Sequence, residues 1–424
     1  MAEASTGTDA ARPKIHAGFI PLIDCAPLVI AAERGLDAEF GFELKLYREV
    51  SWANVRDKME VGTYDCAHML APMPLAAALG LGRTSAAIIA PMALNLNGDA
   101  ITVATRLYEE MSAADAQATK AGGAAAVRAL KRVIDARLSA GLAPLTFGMV
   151  FPFSSHNYDL RDWLASGGID PDHDVNLVVI PPSLMDASLR TGRIDGFCAG
   201  APWNSVAVAR GDGVIVATKS ELLPRSPEKV LGVRAAWSER NPQLMEALIK
   251  ALIRAGQWLD DPANHQEAAA ILAKPEWVGA DAGIIASVLS GRLERGGGQT
   301  DLSDPELMLF YGHEAQLPRR SHAMWMLSQM IRWGHAHEPF DLGAVADKVY
   351  RPDCYRQAAA VLGITLPADE GAGASGSSMD AASRHGFPGA ADFGAPQALA
   401  YLQGLAIRSP SVDLERFLSL NSVQ

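Results

Sequence analysis

The chain has 424 residues, 49% of them apolar and 20% charged, with a formal net charge of -11 and a pI near 5.4. That is the composition of an ordinary globular protein too long for a single core, so two domains plus appendages are expected. The acidity argues against direct nucleic-acid binding and against an anionic membrane surface, which call for basic patches, and no apolar run reaches the roughly 18 residues that span a bilayer.

Residues 1–13 are small and polar, end in Arg12-Pro13, and read as a flexible leader. They have neither the basic nor the apolar region of a secretory signal, so a cytoplasmic location is expected. Strand patterns follow at Lys14–Phe19, Leu44–Tyr47, Cys66–Leu70 and Ile101–Ala104, with helical patterns near Ala26–Arg34, Trp52–Glu60 and Leu75–Leu81 between them. Such alternation predicts a mostly parallel sheet with helices on both faces. Ala113–Leu138 is Ala-rich and helical. A second alternating run covers Leu145–Val150, Asn157–Ala165, Val175–Ile180, Leu184–Thr191 and Gly196–Cys198.

Beyond about Leu231–Arg234 the pattern turns helical, with stretches at Pro242–Leu259, His265–Leu272, Ala280–Leu289, Arg320–Trp333 and Leu342–Val349. The expected organisation is an α/β protein of two lobes: residues 14–103 with 230–367 form lobe one, and 104–229 form lobe two. Crossings near Ile101–Ala104 and Val230–Arg234 would make the hinge. In the last part, 368–424, Ala368–Ser383 reads as a flexible linker and the tail, helical over Ala395–Ala406, packs back on the body. Cys25, Cys66, Cys198 and Cys354 have no metal spacing and read as reduced structural thiols.

The two alternating runs echo each other. Leu44–Met69 and Asn176–Gly200 each read as strand, turn with Ser, short helix, Gly, then an Asp opening a second strand; Ser51 answers Ser183 and Gly62-Thr63-Tyr64-Asp65 answers Gly192-Arg193-Ile194-Asp195. Two like units suggest two like lobes with a ligand cleft between them. Helix N-termini facing that cleft, with unpaired N–H groups and partial positive charge, suit a small anion.

Several segments are specific enough to name a resemblance: GFIPLIDCAPLVIAAERG, SWANVRDKMEVGTYDCAHMLAPMPLA, LNLNGDAITV, SSHNYDLRDWLASGGIDP, APWN and SPEKVLGV. In this order, over roughly residues 14–350, they resemble the nitrate-binding family, which comprises substrate-binding proteins of nitrate and bicarbonate ABC transporters and cytoplasmic nitrate/nitrite sensors. The resemblance implies the type II periplasmic-binding-protein fold, with a hinge and a helical C-terminal part. With no signal peptide, the sensor branch is the expected one. That branch implies nitrate or nitrite as ligand and, as partner, an RNA-binding antiterminator held in the ligand-free state and released by the anion. The alternatives are a nitrate, nitrite or bicarbonate transport receptor, and an enzyme of the thiamine-pyrimidine-synthase type, which needs a cofactor-linked Lys and a Cys-rich motif. No motif suggests catalysis: GxSxG, HExxH and P-loop patterns are absent. No cofactor and no metal are expected.

The resemblance also implies site residues. Trp52, at the first position of a helix behind Ser51, would lie against the planar anion; the bland alternative is a core aromatic. His156, behind the N-cap pair Ser154-Ser155, would complete the anion's hydrogen bonds. Lys229 would supply the counter-charge that a buried monoanion needs. Asp99 departs from the family, whose members carry an amide there: an ionised carboxylate cannot donate and repels an anion unless it is protonated, salt-bridged or turned away. Either Lys229 and His156 offset it, or backbone groups at Gly98 and beyond hold the ligand. Ala201, where bicarbonate-binding relatives carry a calcium-binding Glu, has no oxygen ligand to offer. Asp24, Asn54 and His68 lie in matched segments and are equally readable as caps or packing residues.

Overall fold

The computed structural model describes residues 12–83, 86–367 and 398–421. Most of the leader and the Ala368–Ser383 linker lie outside them. Ten strands build two sheets: β1 (Lys14–Phe19), β2 (Glu43–Arg48), β3 (Cys66–Leu70), β4 (Ile88–Asn97), β5 (Asp99–Ala104), β6 (Leu145–Met149), β7 (Val175–Val179), β8 (Gly196–Gly200), β9 (Gly213–Thr218) and β10 (Pro227–Arg234). Short β11 (Arg292–Leu293) and β12 (Leu302–Ser303) pair with each other, and β13 (Met308–Leu309) edges the first sheet.

The first sheet runs β13-β4-β10-β3-β1-β2 and the second β7-β6-β8-β5-β9. Each contains a parallel trio, β2-β1-β3 or β7-β6-β8, followed by an antiparallel return strand, β10 or β5. The echo in the sequence is therefore an echo in topology. Its repeated parts have local causes. Gly62 (φ 78°) and Gly192 (φ 71°) end their helices in the left-handed region that glycine enters without a Cβ clash. Asp65 then clamps β3 to β1, its carboxylate accepting from His16 N (2.9 Å) and its own N–H donating to His16 O (2.9 Å). Asp195 makes the same pair of bonds with Thr146, at 2.8 and 2.7 Å. The Ser correspondence fails. Ser51 caps its helix by accepting from Asn54 N at 3.2 Å, whereas Ser183 is exposed in a 3-10 turn and caps nothing.

The crossings lie elsewhere than expected. Asp99–Ala104 belongs wholly to the second sheet and Pro227–Arg234 wholly to the first, so the chain passes between lobes at Asn97–Asp99 and again over residues 219–226. Asn97 (φ 59°) and Gly98 (φ 98°) are consecutive left-handed residues, and they break what would otherwise be one long strand. Asn97 ties the two crossings together: its N–H donates to Ser226 O (3.0 Å) and its side-chain oxygen accepts from Ser226 N (3.3 Å). β4 was not legible beforehand. All ten of its residues are buried, so no alternation of period two marks it, and Pro91 interrupts the pattern.

After β10 the chain is mostly helical, and Pro242–Leu259 lays its apolar face on the first sheet's helices. The tail helices Ala398–Gln403 and Leu414–Asn421 cover the Arg320–Arg332 and Leu342–Val349 helices, with Leu402 and Phe417 fully buried and Phe340 edge-on to Phe417 at 5.6 Å. All four cysteines are free thiols. Among the described residues no helix is long and apolar enough to cross a membrane.

Candidate functional site

Where the lobes meet, a cluster of charged side chains is sealed from solvent. Lobe one contributes Asp24, from the turn after β1, Trp52 from the start of its helix, and His68 from β3. Lobe two contributes Ser155, His156 and Asp159 from the Ser155–Ser166 helix, and Asp99 from the first residue of β5. The second crossing and β10 add Lys219, Glu228 and Lys229. None of these is more than 3% exposed. Further hydrogen bonds join the lobes: Ile23 N donates to Ala201 O (2.9 Å) and the Trp203 indole Nε1 to Pro21 O (3.0 Å), while Ala201 N donates to Gly98 O at the first crossing (2.9 Å).

Lys229 Nζ lies between Asp24 Oδ2 (2.7 Å) and Glu228 Oε1, and 5.7 Å from the Trp52 ring centre, a cation–π distance. His68 Nε2 meets the other Asp24 oxygen at 2.8 Å, and its ring tilts against Trp52 at 5.2 Å. From lobe two, His156 Nε2 reaches Glu228 Oε1 at 2.7 Å and Ser155 Oγ donates to Glu228 Oε2. Lys219 Nζ takes three carboxylates at once: Asp159 (2.7 Å), Glu228 (2.9 Å) and Asp99 (3.4 Å). Gly200 lies directly beneath this cluster: a Cβ there would sit 3.3 Å from Asp24 Oδ2 and 3.5 Å from His156 Nε2.

Four of the five expected residues therefore converge: Trp52, Asp99, His156 and Lys229. Gly98 has a different place. Its carbonyl is engaged by Ala201 N, and its φ of 98° makes it the turn between lobes. Asp24 and His68 belong to the cluster, whereas Asn54 bonds Glu49 (3.2 Å) at the outer edge of lobe one. Glu228, Lys219 and Asp159 were missed. Adjacent strand residues normally point to opposite faces, which hides Glu228 beside Lys229. A bulge in β10 at Lys229 lets both turn to the cluster. Lys219, in the polar run Thr218-Lys219-Ser220-Glu221, looks like surface charge until the crossing folds it inward.

The protonation pattern follows from geometry. Burial pushes the Asp99 carboxyl well above the usual range, with Lys219 opposing and Glu228 and Asp159 adding to the rise. Burial likewise raises Asp159. Glu228 goes the other way: against the cost of burial, His156, Lys219 and Lys229 hold it well below the usual range, and against the same cost Lys229 and His68 lower Asp24. Burial lowers His68 and His156, despite Asp24 and Glu228, so both imidazoles are neutral. Burial thus favours the protonated form of Asp99, which has an O–H to donate. Among the cluster's ring nitrogens that make no hydrogen bond, His68 Nε2 and His156 Nε2 face carboxylates, which leaves Trp52 Nε1 from lobe one and His156 Nδ1 from lobe two without a polar partner. Buried N–H groups seldom stay unpaired.

Asp99, His156 and Glu228 each bring one donor atom within 4.8 Å of the others, a set that could hold a metal ion. The calcium ion implied by the bicarbonate-binding relatives does not fit here, because the Lys219 ammonium already engages Asp99 and Glu228 and Ala201 adds no side-chain oxygen.

Residues 8–273 match the model of the NMT1-like family. The chain is 36% identical to the nitrate/nitrite binding protein NrtA of Synechococcus elongatus, over 85% of this chain and 80% of that one. It is 38% identical to the nitrate import ATP-binding protein NrtC of Synechocystis over 86% of its own length, but spans only about half (52%) of that protein. The crystal structure of the periplasmic nitrate-binding protein NrtA from Synechocystis superposes with a TM-score of 0.82 at 30% identity, covering 93% of this chain and 99% of that one. The two-lobed periplasmic-binding-protein fold is thus confirmed, and the chain belongs to the NMT1-like family, among homologues of the NrtA nitrate/nitrite-binding proteins.

Proposed function

We propose that this protein binds nitrate or nitrite between its lobes and serves as the receptor component of an ABC-type importer. The observation that carries the reading is the pair of unpartnered nitrogens, Trp52 Nε1 and His156 Nδ1, offered from opposite lobes beside the Lys229 ammonium. A planar oxyanion presents several acceptors at once: Trp52 Nε1 donates from lobe one, and His156 Nδ1, whose ring faces Glu228 through Nε2, donates from lobe two once the imidazole takes up a proton, which favours the closed form. Burial favours the protonated form of Asp99, which has an O–H to donate, and Lys229 supplies the counter-charge. The relatives are components of nitrate and bicarbonate transport systems, which favours a transport receptor over a sensor that releases an antiterminator; nothing in the comparisons points to the latter, or to a cytoplasmic location.

Calorimetric titration of purified protein with nitrate, nitrite and bicarbonate tests the assignment. Saturable binding of nitrate or nitrite is expected, weakened about tenfold or more by Trp52→Phe, which keeps the ring and removes one hydrogen bond to a charged group. Silence toward both anions would overturn it. Cell fractionation with N-terminal sequencing separates the importer reading, which requires an exported protein, from the sensor reading.

A further inference from the structure

The best-satisfied charge in the cluster belongs to Lys219, a residue with no role in the anion assignment above. It follows β9 and opens the short Lys219–Leu222 helix, whose start is fixed by a capping box between Thr218 and Glu221. The side chain is 1% exposed. An ammonium has three N–H donors, and here each has one carboxylate from a different part of the fold: Asp99 at the first crossing, Asp159 on the lobe-two helix, and Glu228 on β10. Two of these carboxylates, with His156, are also the one group among the described residues whose donor atoms converge closely enough for a metal ion. Carboxylates and an imidazole converging on one buried point constitute a divalent-cation site by ligand type. An ammonium already bonded to two of its members competes for the same oxygens.

We propose that Lys219 is a built-in cation: its ammonium engages Asp99 and Glu228, two of the three residues (with His156) among which a divalent metal would sit, and makes the closed cleft independent of metal. The charge balance supports this. Glu228 and Asp24, the two carboxyls held low by their neighbours, are matched by Lys219 and Lys229, and removing Lys219 would leave a buried carboxylate without counter-charge. A tethered ammonium supplies that charge without ion recruitment. It also holds both crossings against the lobe-two helix. The proposal concerns the protein's own cation and stands whichever anion binds.

The test uses metal alone. Chelator-treated wild-type protein is titrated with MnCl2 and free Mn(II) is followed by electron paramagnetic resonance. No stoichiometric site is expected, and a wild-type Mn(II) site that disappears in Glu228→Gln would overturn the proposal. Lys219→Met, which keeps the stem and removes the charge, is expected to create one Mn(II) site about 100-fold tighter than any in the wild type, the order expected when one partner leaves a buried ionic cluster. Adding Asp99→Asn to that variant should abolish the new site. A folded Lys219→Met protein with no gain in Mn(II) binding would also overturn it. Should Lys219→Met be unfolded in chelator, recovery of its far-ultraviolet dichroism on adding MnCl2 is the supporting result. No recovery, with wild-type and Lys219→Arg proteins folded, would count against metal replacement.

Discussion

Asp99 and Glu228 lie in one cluster and are driven to opposite protonation states. Asp99 has the more distant ammonium contact and two acidic neighbours, so burial wins and its carboxyl stays neutral. Glu228 meets two ammonium groups, an imidazole and a hydroxyl, which together outweigh burial. Substitution should separate them. Asp99→Asn mimics the protonated form and should change unfolding free energy by no more than about 1 kcal/mol at pH 7. The sign is fixed by linkage: a raised carboxyl loses stability as pH rises above the unfolded value of the group, so the variant should gain on wild type between pH 4 and 7. Glu228→Gln removes a partner from Lys219, Lys229 and His156 at once and should cost about 3–5 kcal/mol. Urea unfolding of both variants decides; equal losses would mean that Asp99 is ionised in the native protein.

The two crossings set the geometry of the cleft. The first turns at Asn97-Gly98, and a Cβ at Gly98 would lie 2.4 Å from Met308 Cε at a φ that disfavours any side chain. Gly98→Ala should therefore destabilise the fold by about 1–2 kcal/mol, mainly through left-handed strain, since the end of the Met308 side chain can move aside. A melting temperature equal to wild type would show that the turn relaxes freely. The β10 bulge acts at the same scale: by breaking alternation at Lys229 it brings two neighbouring charged residues into the same cluster.

For the whole molecule, anion binding has a protonic consequence. His156 is faced by Glu228 from β10, with Lys229, Lys219 and Asp99 close by, and its pKa is lowered in the free protein. An anion arriving beside it raises that pKa again, so binding takes up a proton and affinity should rise as pH falls from 8 to 6, by up to about tenfold per unit. Titrations in buffers of different ionisation enthalpy measure that uptake directly, and a flat pH profile with no proton uptake would refute it. Stability of the whole also draws on the tail. Phe417 is fully buried against Phe340, so Phe417→Ala should cost about 3–5 kcal/mol in thermal or urea unfolding; an unchanged midpoint would mean that the tail is dispensable.

Periodicity, turn chemistry and the internal echo were enough to locate the parallel trios, the Trp52–Glu60 helix to the residue, and the long Pro242–Leu259 helix, because those signals are local. Matched segments singled out Trp52, His156 and Lys229, which the fold brings together with Asp99. Tertiary structure alone decided the rest. It made Gly98 a turn, buried Lys219, rotated Glu228 beside Lys229 through a bulge, and moved the crossings to Asn97–Asp99 and residues 219–226. The protonation of Asp99 belongs to that second group. Composition and spacing carry no information about desolvation; a carboxyl's charge is set by what surrounds it once the lobes have met.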